Sequence, residues 1–220
     1  MDNIIENLAE QIRQKSVTQT QAKNNTRQVF NDLKDKAFEL VKSMKEKLGD
    51  QAKDAKLEFD KVSEYEFHLM FAGELLIFTT HSNILNFAEG HILHKSPYIK
   101  QNTERGYFGA IMAYNFLSDS LKFKRMFDQG YLIARLFVNN ENHFYVEGVN
   151  MNYEYTDVAK NIVDDSFLEK FLKSTLEAAL ETDPVMSNFE QEKSISVADK
   201  LNRSMLGNVK KIGFQMKTDK

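Results

Sequence analysis

The sequence predicts an α+β fold: an antiparallel sheet of five or six strands flanked by an N-terminal amphipathic helical arm and C-terminal helices. Three observations carry this. Short alternating or continuous apolar runs crowd between Ser63 and Val149, apolar residues at helical spacing fill both flanks, and Gly, Asn and charged residues punctuate the runs. Before Val62 the aromatics are Phe30, Phe38 and Phe59. Ser63–Val149 holds most of the others and all five histidines. The expected division is a helical arm over residues 1–62 and an α+β domain over 63–220, with its sheet in 63–149 and helices in 157–206.

In the arm, Ile4, Ile5, Leu8 and Ile12 sit at helical spacing and predict a short first helix. The polar run from Gln14 to Asn25 offers nothing obvious to bury and is expected to interrupt it. Phe30, Leu33, Ala37, Leu40, Val41, Met44 and Leu48 then form an amphipathic stripe in a helix over Thr26–Leu48, stopped by Gly49. This helix has two uses. It can pair as a coiled coil and set an oligomer, or it can pack on the protein's own sheet, and its width beyond a strict two-position seam favours the sheet. Ala52, Ala55, Phe59 and Val62 continue the spacing and predict a second helix running into the sheet.

Tyr65, Phe67, Leu69 and Phe71 alternate with polar residues as a half-buried strand, turned at Gly73 and Glu74 into a second strand, Leu75–Thr80. Residues 81–103 form a long connection with at most one helical turn, interrupted by Gly90 and Pro97. Gly106–Leu117 is apolar on both faces, so it is expected at the sheet's centre with layers on both sides. Ser118–Gln129 is either a basic edge strand or a short helix. Gly130–Asn139 and the run His143–Gly148 form a hairpin. A loop of Asn139, Asn140 and Glu141, with one Asn left-handed, sets Leu136 opposite Phe144 and Ala134 opposite Val146. Asp164 or Asp165 caps a helix to Glu181, a further helix is expected from Ile195 or Val197 to Leu206, and the basic tail trails.

That hairpin register gathers the strongest candidate site on one sheet face: Arg135 opposite Tyr145, with His143 and Glu147 diagonal to it. Arg135 suits a carboxylate or phosphate, and His143 can exchange a proton near neutral pH, with Glu147 as its orienter. A plain Arg135–Glu147 salt bridge uses the same residues. No nucleophile accompanies His143, which weighs against an enzyme. His91 and His94, with His81 and Glu89 near in sequence, have no known zinc spacing. Lys122, Lys124 and Arg125 with Phe123 and Phe127 make too thin a strip for nucleic acid in a chain of net charge −3 and pI near 6.0.

No glycine-rich phosphate loop, G-x-S-x-G elbow or H-E-x-x-H motif occurs, and no cofactor is implied. The chain has no cysteine, hence no disulfide, and neither a signal-peptide pattern nor a bilayer-length apolar run, so a cytoplasmic location is expected. Two functional readings follow. One is a non-enzymatic interaction or scaffold protein that self-associates through its N-terminal helices as a homo-oligomer or meets a protein partner. The other is a small-ligand-binding or sensor domain, at the margin a weak hydrolase, using Arg135, His143, Tyr145 and Glu147.

Overall fold

A computed structural model describes residues 2–126, 128–149, 151, 155, 157–182, 184–185 and 213–214. Helix α1 spans Asp2–Leu48, a single helix of 47 residues, roughly 70 Å long. The expected break at Gln14–Asn25 is absent. No Gly or Pro occurs before Gly49, and Gln, Lys and Arg are good helix formers, so polarity there does not end the helix. Nor is that run free of packing, since Thr18, Ala22 and Thr26 are buried. The Asn25 amide donates to the carbonyls of Asn139 (3.0 Å) and Asn140 (2.9 Å), tying the helix to a distant turn. Gly49 ends α1 at φ +54°, its N–H donating to the Lys45 carbonyl.

Helix α2 covers only Gln51–Asp54, and the chain then enters strand β1, Glu58–Lys61. The expected second helix is thus mostly replaced by an edge strand, because Leu57 and Phe59 turn inward on a two-residue period, buried and half-buried. Strands β2 (Glu66–Phe71), β3 (Glu74–Thr80), β4 (Phe108–Leu117), β5 (Tyr131–Asn139) and β6 (Phe144–Gly148) complete a six-stranded antiparallel meander in chain order. Ala72 and Gly73, both at positive φ, make the tight β2–β3 turn. Between β3 and β4 lie 3-10 turns at Ile92–Lys95 and Thr103–Gly106 and a short helix α3, Pro97–Gln101, so the connection is more ordered than one helical turn. After β4 comes helix α4, Ser118–Lys122, the helical alternative for that segment.

Helix α5 spans Asp165–Leu180, with the Asp164 carboxylate accepting from the Phe167 N–H at 2.7 Å. A two-residue pair, β7 (Pro184–Val185) with β8 (Gly213–Phe214), closes the described chain. The helix expected over 195–206 lies outside the described residues.

One sheet face carries Phe67, Leu69, Leu76, Phe78, Ile111, Ala113, Leu136, Val138, Phe144 and Val146, packed under α1 and α5. Residues on both sides of Val62 share this core. Phe67 sits at its centre, stacked on Phe78 (4.7 Å between centroids) and touching Phe30 of α1 at 5.3 Å. On the opposite face a smaller core joins Phe108, Ala110 and Phe137 to Leu93, Ile99 and Val158. β4 is therefore central and covered on both sides along its first half. Along its second half Met112, Tyr114 and Phe116 are only partly buried.

Candidate functional site

The β5–β6 hairpin pairs Val138 with Phe144, Leu136 with Val146, Phe137 with Tyr145 and Arg135 with Glu147. This corrects the expected register by two residues. The loop does hold three residues with a left-handed Asn, but these are Asn140, Glu141 and Asn142, with Asn142 at φ +63°. Moving a loop by one residue shifts every pairing by two, which preserves faces and changes partners. The buried Asn139 side chain makes the difference. Its Oδ1 accepts from the N–H groups of Glu141 (3.0 Å) and His143 (2.9 Å), so Asn139 closes the ladder and lies outside the turn.

As a result Arg135 forms its ion pair directly across the ladder with Glu147. The guanidinium also lies over the Phe137 ring, 5.5 Å from its centroid, and its buried Nε has no hydrogen-bond partner among the described residues. On the far side of Glu147, Oε1 stands 3.6 Å from His91 Nε2. His91 stacks on Phe87 at 4.2 Å and meets the Tyr145 ring edge-on at 5.6 Å. Burial, with the Glu147 charge adding to it, raises the Tyr145 phenol above its ordinary range.

Arg135, Tyr145 and Glu147 are thus brought together, and His91 from the β3–β4 connection joins them. Its ring stacking is a tertiary contact with no signature at the 91–94 spacing. Among the described residues, no three His, Asp or Glu side chains are placed to share a metal ion.

His143 is apart, just before β6 and four residues from Glu147, or roughly 13 Å along an extended chain. Its Nδ1–H donates to the Val158 carbonyl at 2.8 Å. Its ring stacks on Tyr98 at 4.5 Å, and the Arg105 guanidinium covers Tyr98 at 4.3 Å. Tyr98 donates to Glu141 Oε2 at 2.8 Å and accepts from Asn139 Nδ2 at 3.1 Å. Arg105 Nε donates to the other Glu141 oxygen at 2.9 Å. Tyr98, Arg105 and Glu141 are not among the sequence-derived candidates, since only the fold brings α3 to this turn.

Burial pushes Tyr98 up to about 12, the Asn139 hydrogen bond opposing and Glu141 adding to it. For Glu141, burial acts upward. The hydrogen bonds and charge from Arg105, the Tyr98 hydroxyl and the His143 charge outweigh it, leaving the carboxyl below its ordinary range. The signs differ. Because the folded Tyr98 holds its proton above the unfolded value near 10, its contribution to stability is lost as pH rises from about 10 to about 12. Glu141 contributes above its ordinary value and loses that as pH falls through its lowered folded value. In a phenolate-absorbance titration of the native protein, Tyr98 should ionise late, and Tyr98→Phe should reduce the late component to the share of Tyr145. Complete titration of all tyrosines near 10 in the folded state would contradict the burial argument.

The basic segment after β4 is partly neutralised. Arg125 pairs with Asp128 at 3.5 Å and lies over Phe123, as Lys122 does. Phe127 lies outside the described residues. Hollows occur elsewhere. A cavity of about 250 Å³ opens between α1 and the β3–β4 side of the sheet, and a groove of about 710 Å³ runs between α1 and α5. Arg135, His143, Tyr145 and Glu147 line neither.

Compared with models of protein families, with curated proteins and with solved structures, the chain matches none. The fold itself defines a class, an antiparallel six-stranded meander crossed by one long helix. No described helix is long and apolar enough to cross a membrane.

Proposed function

We propose that the protein is a non-enzymatic interaction module that associates through the projecting N-terminal part of α1, first with a second copy of itself. One observation carries this reading: Ile4, Ile5, Leu8, Ile12 and Val17 are each more than half exposed on a helix that from Thr18 to Val41 buries one face in the core. Residues 3–17 are exposed throughout; Arg13, Gln14 and Val17 share a hollow with Asn102, Thr103 and Glu104, so residues 3–12, roughly 15 Å of helix, extend past the packed part.

Ile5, Leu8 and Ile12 step by three and four. The same steps lead through Lys15 and Thr18 to Ala22, Thr26, Val29 and Leu33, with every residue from Thr18 onward buried. The apolar stripe of the arm therefore prolongs the sheet-facing side of α1 beyond the sheet. Contiguous exposed apolar surface of this kind marks a protein interface, and two short heptads become stable only with a partner. A cytoplasmic setting fits a chain without cysteine.

The test is light scattering on full-length protein. The wild type should run at a multiple of the 25.5 kDa chain mass, and Ile5→Glu/Leu8→Glu/Ile12→Glu should run at a single mass with unchanged circular dichroism. A single-chain wild type at tens of micromolar (about the upper range for a weak dimer) overturns self-association. Deleting all of α1 is unsuitable, because Phe30, Leu33 and Ala37 belong to the core.

The ligand-binding reading keeps Arg135, Tyr145 and Glu147, now with His91. It has less support, since Arg135 and Glu147 already satisfy each other's charge and an incoming anion must compete with that pair.

A further inference from the structure

The cavity of about 250 Å³ beside α1 has a mixed lining, in which Glu64 and Tyr65 stand alongside apolar and basic residues. Phe30, Gly109 and Ile84 supply the apolar lining, while Lys23, Arg27 and His81 bring positive or protonatable groups to the same hollow. Beside the hollow α1 presses on β4 at Gly109, where Thr26 fills the space that a side chain would take. Arg27 is held by Glu64 at 2.8 Å, both side chains exposed. Lys23, one helical turn earlier, has no ion-pair partner among the described residues. Lys23 and Arg27 set against Glu64 leave this lining one positive charge in excess, in a chain whose net charge is −3.

From this we infer that the cavity binds a small amphiphilic monoanion, an apolar body seated on Phe30 and Ile84 with its carboxylate held at the mouth by Lys23. The chemistry fits both parts. Ligand sites are mostly apolar with a few polar groups that fix orientation, and an ammonium on a flexible stem meets a carboxylate without a fixed approach angle. Arg27, already committed to Glu64, adds field more than contact.

The site lies away from the Arg135 cluster and does not depend on self-association. The experiment uses anilinonaphthalene sulfonate, an apolar body with one anionic group, and follows its fluorescence on binding. The protein is the full chain carrying the three arm substitutions, so that the exposed stripe of α1 offers the dye no second site. Saturable binding at one dye per chain is expected, displaced by decanoate well below the concentration at which decanol displaces it.

Lys23→Glu should weaken dye binding about tenfold, equivalent to about 1.4 kcal/mol, and Ser82→Trp should block the cavity and abolish it. Both positions are exposed, so the fold is expected to hold. No saturable binding overturns the proposal. So does binding that neither substitution changes, and equal displacement by decanoate and decanol overturns the assignment of an anionic ligand.

Discussion

Phe67→Ala is expected to cost about 3–5 kcal/mol, the largest loss from a single truncation in the sheet. Phe67 is fully buried, and its ring contacts Phe30 from α1, Phe59 from β1 and Phe78 from β3. Removing it leaves a hole bounded by three elements that hold one another in place, so the site cannot easily collapse. For a chain of this size the loss corresponds to a fall of roughly 10 °C in Tm. The check is urea unfolding, with the midpoint lowered and the slope unchanged. Leu8→Ala, on the exposed arm, is the control and should stay within about 0.5 kcal/mol of wild type in a single-chain background. Equal effects at the two positions would mean that Phe67 is not central to the core.

The sheet is legible in the sequence because its strands have clear side-chain periods. Phe67, Leu69 and Phe71 alternate strictly and face α1, and Phe108–Leu117 is apolar on both faces and lies fourth of six strands. The full length of α1 is not legible, for a physical reason. Absence of apolar residues shows that a segment buries little bulk, whereas a helix ends only where the backbone is forced to change, here at Gly49. Small buried residues such as Thr18, Ala22 and Thr26 keep the helical step but add no hydrophobic bulk to mark it, and Thr26 packs directly against β4 at Gly109. Phe59 reads as helical because a short edge strand offers too few residues to establish a period of two.

The candidate site is legible in composition and not in contact. Strand alternation alone puts Arg135, His143, Tyr145 and Glu147 on one face, and they are there. Who meets whom depends on one turn, and the turn is decided by a buried amide, Asn139, accepting from two backbone N–H groups. Neighbouring asparagines are equally good turn formers, so propensity does not choose among them. His91, Tyr98 and Arg105 reach the face from a connection whose path is set by Leu93 and Ile99 filling the second core. Contacts of that kind have large sequence separation and leave no local pattern.

Gly109→Ala should be nearly as damaging as loss of Phe67, by the opposite mechanism. A Cβ at position 109 would lie 2.1 Å from Thr26 Oγ1 and 2.7 Å from Thr26 Cβ, so either α1 or β4 must move. Helix α1 is not free to withdraw, because Asn25 binds the Asn139 and Asn140 carbonyls and Phe30 is locked against Phe67. Overpacking here should cost about 3 kcal/mol. Thr26→Ala cannot relieve it, since its Cβ remains; only Thr26→Gly clears the space, at about 1 kcal/mol for glycine within a helix. The double variant should therefore be more stable than Gly109→Ala alone, with a favourable coupling of about 2–3 kcal/mol in a mutant cycle. If Gly109→Ala unfolds at the wild-type midpoint, α1 does not cross β4 at this contact.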